Sequence, residues 1–136
     1  MKALRFPAYV PRMLLRVASV LLLVQGAAAW ASLLGLLGEA AVGAADFAAM
    51  DDATRALLVL NAVLCLVAAI GAWFISEWGP VLWFAVVASL GVAVTAGVPD
   101  DGRITSLLVV HLLLAAAWLA TASRVERRGG EGPFGG

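Results

Sequence analysis

Apolar residues gather in four long stretches of this chain, and almost every charged residue lies between the stretches. These apolar stretches cover, in chain order, about residues 13–37, 56–76, 80–98 and 104–122. Each has close to the roughly 20 residues that an α-helix needs to cross about 30 Å of hydrocarbon. None shows the alternation of apolar and polar residues that is typical of a membrane β-barrel strand. The pattern therefore predicts an all-α fold with four membrane-spanning helices.

Composition agrees with a protein that folds in a bilayer. Of the 136 residues, 63% are hydrophobic and 13% are charged, whereas a soluble domain is about 45–50% apolar and about 25% charged. The four spans leave only short loops and tails, so we expect one transmembrane domain over residues 1–128 and a disordered glycine-rich tail over 129–136. The formal net charge is +0, which gives no electrostatic basis for binding nucleic acid.

The distribution of charge predicts how the chain is threaded. The amino-terminal segment carries basic residues and no acid, namely Lys2, Arg5, Arg12 and Arg16. Arg16 falls just inside the first span, where its long stem can reach the interface. The carboxy-terminal tail is also rich in arginine, so the positive-inside rule places both termini in the cytoplasm. We expect an up-down-up-down four-helix bundle in the inner membrane.

Tryptophans supply a second indication of the threading. Four of them fall at the predicted cytoplasmic face: Trp73, Trp78, Trp83 and Trp118. Indole rings concentrate at membrane–water interfaces, so we expect these four to be lipid-facing anchors.

The first span has an alternative interpretation as a cleaved signal peptide. Basic residues precede it, and Ala27-Ala28-Ala29 resembles a small-residue cleavage site. The apolar run nevertheless continues as far as Leu37, which makes it long enough to anchor. We therefore expect an uncleaved first span.

Short connections determine which spans are neighbours. Only residues 76–80 join the second and third spans, which must then be antiparallel and adjacent. Pro80 suits the first turn of a helix, where its missing N–H costs nothing, and we expect Gly79 to allow the chain reversal. Asp51 or Asp52 can cap the second helix.

Small and polar residues predict how the spans pack. One face of the second span is formed, at helical spacing, by Asn61, Cys65, Ala68 and Ala72. Pairs of small residues four apart, which allow close contact between membrane helices, are Gly91 with Thr95, Ala93 with Gly97, and Ala116 with Ala120.

Polar residues inside the spans are the candidates for a functional site. Helical rise along the spans predicts that four of them meet in one polar cluster: Gln25, Asn61, Thr95 and His111. One interpretation is a site for a small molecule or a proton. The other, which we favour, is a set of interhelical hydrogen bonds worth about 0.6–2 kcal/mol each.

Several classes of activity lack the residues that they need. His111 is the only histidine and has no second histidine or thiolate at metal-ligand spacing, so we expect no metal and no cofactor. The single cysteine, Cys65, excludes an intramolecular disulfide. No serine has a recognisable base and acid around it. The first span also lacks the carboxylate on which small multidrug exporters depend. We expect no enzymatic activity.

Three features of the chain are the hairpin Glu77-Trp78-Gly79-Pro80-Val81-Leu82-Trp83, the turn Gly97-Val98-Pro99-Asp100, and His111 in the last span. Together they resemble an uncharacterised family of small four-span bacterial inner-membrane proteins, catalogued as a domain of unknown function. The resemblance implies no activity.

Two functions are consistent with these observations. The first is a non-catalytic accessory or scaffold subunit that lies in the lipid bilayer and packs against another membrane protein or a second copy of itself. The alternative is a small-molecule transporter or lipophilic-ligand binder that uses the polar level around Asn61, Thr95 and His111.

Overall fold

The structure is a computed structural model of the chain and describes residues 9–34, 36, 51–98 and 102–129. Its four helices are α1 (Val10–Leu33), α2 (Asp52–Trp73), α3 (Trp78–Thr95) and α4 (Arg103–Gly129). Each of the four is long and apolar enough to cross a membrane. The described residues contain no strand, and the predicted all-α fold with four helices of membrane-spanning length is confirmed. Gly129 ends α4, and the rest of the predicted tail lies outside the described residues.

The helices form a closed ring of four. Each helix packs against the next one along the chain, and α4 completes the ring by packing against α1. In the interface between α1 and α2, Ser19 bonds to Ala69 and Gly26 lies against Cys65. Residue numbers therefore increase along α1 while the numbers of the residues that they contact decrease along α2. The two helices are therefore antiparallel, as the up-down-up-down arrangement requires.

Leucines, small residues and one tryptophan form the core of the bundle. The predicted inward face of α2 is confirmed, because Cys65, Ala68 and Ala72 are fully buried and Asn61 is partly buried. Large apolar side chains such as Val81 and Leu113 instead cover the outside. An apolar exterior around a core of small residues is what lipid, as opposed to water, favours.

Asp51 caps α2, as predicted. Its carboxylate accepts the Thr54 backbone N–H at 3.1 Å and also accepts the Thr54 hydroxyl. These bonds, led by the hydroxyl, lower the pKa of Asp51 below its ordinary value. The cap also explains why α2 begins at Asp52, ahead of the predicted apolar boundary, since capping residues are polar and hydropathy leaves them out.

The turn between α2 and α3 corrects the predicted role of Gly79. The reversal occurs at Ile75, whose φ of 55° is left-handed. Ile75 N–H and Ser76 N–H donate to the Ala72 and Gly71 carbonyls at 3.2 and 3.1 Å, which is the Schellman pattern that ends a helix. Gly79 is helical instead. Pro80 lies in the first turn of α3, as predicted.

Gly79 allows the backbones of α2 and α3 to touch. A Cβ atom at this position would lie 2.5 Å from the carbonyl carbon of Gly71 and 2.6 Å from its oxygen. The ring of Trp78 covers the open side of Gly71, where a Cβ atom would lie 2.3 Å from the ring. The end of α2 and the start of α3 therefore approach closely because Gly71 and Gly79 have no side chains, and the Trp78 ring packs on Gly71.

Candidate functional site

His111 lies at the centre of the bundle with both ring nitrogens hydrogen-bonded. Its exposure is 0%. Trp83 Nε1 of α3 donates to His111 Nδ1 at 3.0 Å, and His111 Nε2 lies 2.8 Å from Gln25 Oε1 of α1. Three side chains from three helices therefore form one continuous chain, which we call the Trp–His–Gln chain.

The indole determines the tautomer of His111. An indole N–H can donate a hydrogen bond and cannot accept one, so Nδ1 must be the acceptor and carries no proton. The ring proton then resides on Nε2, which donates to the Gln25 carbonyl oxygen. A proton added at Nδ1 would face the indole N–H, donor against donor. The arrangement therefore favours a neutral imidazole.

Gln25 contributes only half of its amide to this chain. Its side chain is 8% exposed, and its Nε2 is the one buried side-chain N or O atom without a hydrogen-bond partner among the described residues. A buried N–H group without an acceptor costs free energy, typically about 1–3 kcal/mol. Within the Trp–His–Gln chain, this amide nitrogen is the donor that has no acceptor.

Trp83 is a core residue, and its prediction as a lipid anchor is wrong. Its exposure is 0%, and its ring packs edge-on against Trp118 with centroids 6.4 Å apart. Trp73 and Trp78 remain exposed, as anchors would be, whereas Trp118 is partly buried and packs against the core. The physical reason is rotational: Trp83 shares a helix face with buried Val86 and Leu90, and closeness to a span end does not reveal which way a residue faces.

Asn61 belongs to a second, separate hydrogen-bonded group. Its Oδ1 accepts the Ser89 hydroxyl of α3 at 3.2 Å and the Cys65 thiol at 3.6 Å. Ser89 also bonds to the Val86 carbonyl at 2.8 Å. Thr95 joins neither group, because it is exposed and its hydroxyl bonds to the Gly91 and Val92 carbonyls of its own helix. Of the four predicted site residues, the structure thus brings Gln25 and His111 together.

Ser19 completes the polar contacts and was not predicted. Its hydroxyl donates to the Ala69 carbonyl at 2.6 Å, which joins α1 to α2. The sequence feature that could have identified Ser19 is its helical spacing from Leu15, Leu22 and Gly26, which lie on the same buried face of α1. With this bond, each of the four interfaces around the ring carries one interhelical side-chain hydrogen bond: Ser19–Ala69, Asn61–Ser89, Trp83–His111 and His111–Gln25.

The arrangement limits the chemistry that His111 can perform. Ligation of a metal by either nitrogen would require breaking a hydrogen bond to Trp83 or Gln25. Within the part of the chain that the structure describes, no three His, Cys, Asp or Glu side chains come together as metal ligands would. The evident role of the ring is to join three helices.

The fold and this polar ring define a small four-helix bundle whose helices are each long and apolar enough to cross a membrane. The chain belongs to a family of unknown function, DUF6163, which matches residues 9–129. Membership in an uncharacterised family, which the hairpin, the turn and His111 indicated, is thereby confirmed. No curated protein and no solved structure matches the chain.

Proposed function

We propose that this protein is a non-catalytic accessory or scaffold subunit of the bacterial inner membrane, which packs against another membrane protein or against a second copy of itself. The observation that carries the proposal is the surroundings of Gly91 in α3. A Cβ atom at Gly91 would meet nothing within 4 Å, so the bundle itself makes no use of this missing side chain.

Three other glycines within the helices, Gly26, Gly71 and Gly79, are used for close contacts. A Cβ atom at Gly26 would lie 2.9 Å from Leu66, and Cβ atoms at Gly71 and Gly79 would come closer still to their neighbours. Glycine inside a helix costs roughly 0.5–1 kcal/mol relative to alanine. Gly91 has that cost without making a close contact inside the bundle. Together with exposed Thr95, one turn away, it forms a notch of small residues into which a helix of another protein can pack.

A second outward surface with small residues lies on α4. Only 17% of the residues in the apolar part of α4 are buried inside the bundle, compared with 33% for α1 and α2 and 39% for α3. The predicted pair Ala116 and Ala120 is exposed and does not pack inside the bundle. A helix that its own bundle covers so little has surface available for a partner.

The proposal of a non-catalytic role rests on the polar side chains. His111, Asn61, Ser19 and Ser89 all make their hydrogen bonds to other helices or within their own helix. We further propose that both termini lie in the cytoplasm, because the basic residues concentrate on the two tails.

Substitution of Gly91 tests the association. Gly91→Leu fills the notch, so we expect it to abolish the cross-linked complex with the partner or the second copy. Ala27→Leu is the matched control, since it adds a leucine at an exposed position of α1. The measurement is cross-linking in native membranes followed by mass spectrometry. A protein that yields no reproducible cross-linked partner, or a complex that Gly91→Leu leaves intact, would contradict the proposal.

One observation favours the alternative function of a lipophilic-ligand binder. The amide Nε2 of Gln25 is a buried donor without an acceptor, and a ligand carbonyl would satisfy it. Reconstituted wild-type protein and a Gln25→Leu variant should then differ in ligand uptake or binding. Equal behaviour of the two proteins for every ligand found would leave Gln25 with a structural role only.

A further inference from the structure

An open apolar groove runs between α1 and α2 on the outside of the bundle. Its volume is about 240 Å³, and its lining residues are Ser19, Val20, Leu23, Ala69, Ile70, Trp73 and Phe74. The Ser19–Ala69 hydrogen bond forms its floor and uses the one polar side chain of the lining. The groove therefore presents hydrocarbon and aromatic surface to whatever lies in it.

A cation lies at one end of this groove. The Arg16 guanidinium carbon is 5.8 Å from the centroid of the Trp73 ring, which is itself a wall of the groove. Helical side chains point toward the amino terminus of their helix, so Arg16 is directed toward the end of α1 at which the span meets the membrane surface. Val20 and Leu23 follow Arg16 at helical spacing along the same face.

The described residues provide no carboxylate partner for this cation. Among the described residues, Arg16 contacts Trp73 and forms no ion pair with a carboxylate. Arg12, one turn closer to the start of α1, forms no such ion pair either. An ion pair joins Arg55 to Asp52 at the other end of α2. An unneutralised charge just inside the membrane boundary is costly unless an anion reaches it.

We infer that this groove binds one anionic phospholipid, with its phosphate on Arg16 and one acyl chain along the groove. A phospholipid unites the two chemistries that the site displays, since its anion lies at the interface and its hydrocarbon runs below. Arginine matches phosphate by its fork of N–H donors. Phe74, 76% exposed at the rim, lies where an acyl chain would cover it.

Native mass spectrometry of the full chain, released from mild detergent after incubation with phosphatidylglycerol or phosphatidylcholine, tests the inference. Wild type should retain one phosphatidylglycerol in preference to phosphatidylcholine. Arg16→Gln should lower phosphatidylglycerol retention by about fivefold, and Arg16→Lys should restore part of it. Arg103→Gln, which removes one charge at the other end of the bundle, should change nothing.

Filling the groove separates a lipid site from simple charge attraction. Ile70→Trp should abolish retention of both lipids, whereas Leu60→Trp, on an exposed position of α2 outside the groove, should not. Val20→Trp fills the groove from its opposite wall and repeats the test if Ile70→Trp loses helicity. Millimolar glycerol 3-phosphate should displace no lipid, because it lacks the acyl chain.

Three outcomes would overturn the inference. The first is unchanged retention in both Arg16→Gln and the groove-filling variants. The second is displacement of the lipid by glycerol 3-phosphate, which would reduce the site to an anion site. The third is a dimer that disappears in Ile70→Trp, which would assign the groove to a second copy of the chain.

Discussion

His111 shows how one residue can join three membrane helices without carrying a charge. Its two nitrogens have opposite roles, one accepting from Trp83 and one facing the Gln25 carbonyl oxygen at 2.8 Å. In hydrocarbon, a polar group without a partner is expensive. The ring is therefore stable in this position only in the orientation that satisfies both neighbours, and this fixes the rotation of α4 relative to α1 and α3.

The tautomer of His111 can be measured directly. The chain has one histidine, so every imidazole signal in the ¹⁵N spectrum of histidine-labelled protein belongs to His111. We expect a protonated Nε2 and an unprotonated Nδ1, because the Trp83 indole can only donate. Trp83→Phe should shift the Nδ1 resonance, and Trp30→Phe, a control at an exposed indole, should not. A proton on Nδ1 would show that the indole bonds elsewhere.

Ile75 has a strained backbone in the α2–α3 turn. A left-handed conformation costs a residue with a Cβ atom roughly 1–2 kcal/mol, and β-branching makes it rarer still. Since φ at Ile75 is 55°, Ile75→Gly should raise the free energy of unfolding by about 1 kcal/mol. Ile70→Gly, at a right-handed helical position in the last turn of α2, should lower it by a similar amount. Unfolding in mixed detergent micelles gives both values, and a loss of stability in Ile75→Gly would refute the strain.

At the scale of the elements, contact between backbones holds α2 and α3 together. Gly79 rests on the Gly71 carbonyl group, and the Ser76 hydroxyl also bonds to that oxygen at 2.8 Å. Apolar side chains gain little by leaving lipid for protein, so close approach and polar contacts must supply the association. Glycines at facing positions on two helices meet this requirement.

Replacing these glycines separates contact from helix propensity. Gly79→Ala places a methyl group against the Gly71 backbone, which cannot rotate away, and should destabilise the fold by about 1–3 kcal/mol. Gly91→Ala makes the same chemical change in open space and should stabilise the isolated bundle by roughly 0.5–1 kcal/mol. Unfolding at low protein concentration measures both. Equal effects of the two substitutions would show that the backbones at Gly79 and Gly71 are far enough apart to accommodate a methyl group.

The sequence predicts the existence of the helices better than their ends and rotations. Four spans follow from hydropathy, which is a local property of each segment. The end of α2 at Trp73 depends instead on bonds to carbonyls in the preceding turn, which polarity does not reveal. The partnership of Trp83 with His111 depends on the rotation of α3, and α3 is apolar on nearly every side. A helix without a polar face gives no sequence signal of its inward direction.

At the scale of the whole molecule, the polar contacts are distributed evenly around the ring. Each interface between neighbouring helices has one interhelical side-chain hydrogen bond, from Ser19, Ser89, Trp83 and His111. Bonds of this kind average about 0.6 kcal/mol in membrane proteins, so each contributes little stability alone. Because their geometry is specific, together they define which helices are neighbours and how each is rotated.

The threading of the bundle through the membrane gives the last prediction. Arginine and lysine resist translocation against the membrane potential, and both tails carry them. In a Cys65→Ser background, Asp46→Cys should therefore react with an impermeant maleimide in intact cells, and Gly130→Cys only after permeabilisation. Serine at position 65 removes the buried thiol and retains a donor for Asn61.

Each labelling result has a distinct physical meaning. Labelling of both positions from one side would contradict a four-span chain, because α2, α3 and α4 lie between positions 46 and 130 and three crossings place them on opposite sides. Reversed labelling would keep the bundle and show that the arginines of the tails do not set its orientation. An added control is Arg12→Glu with Arg16→Gln, which weakens the basic amino-terminal segment and should increase the fraction of inverted molecules.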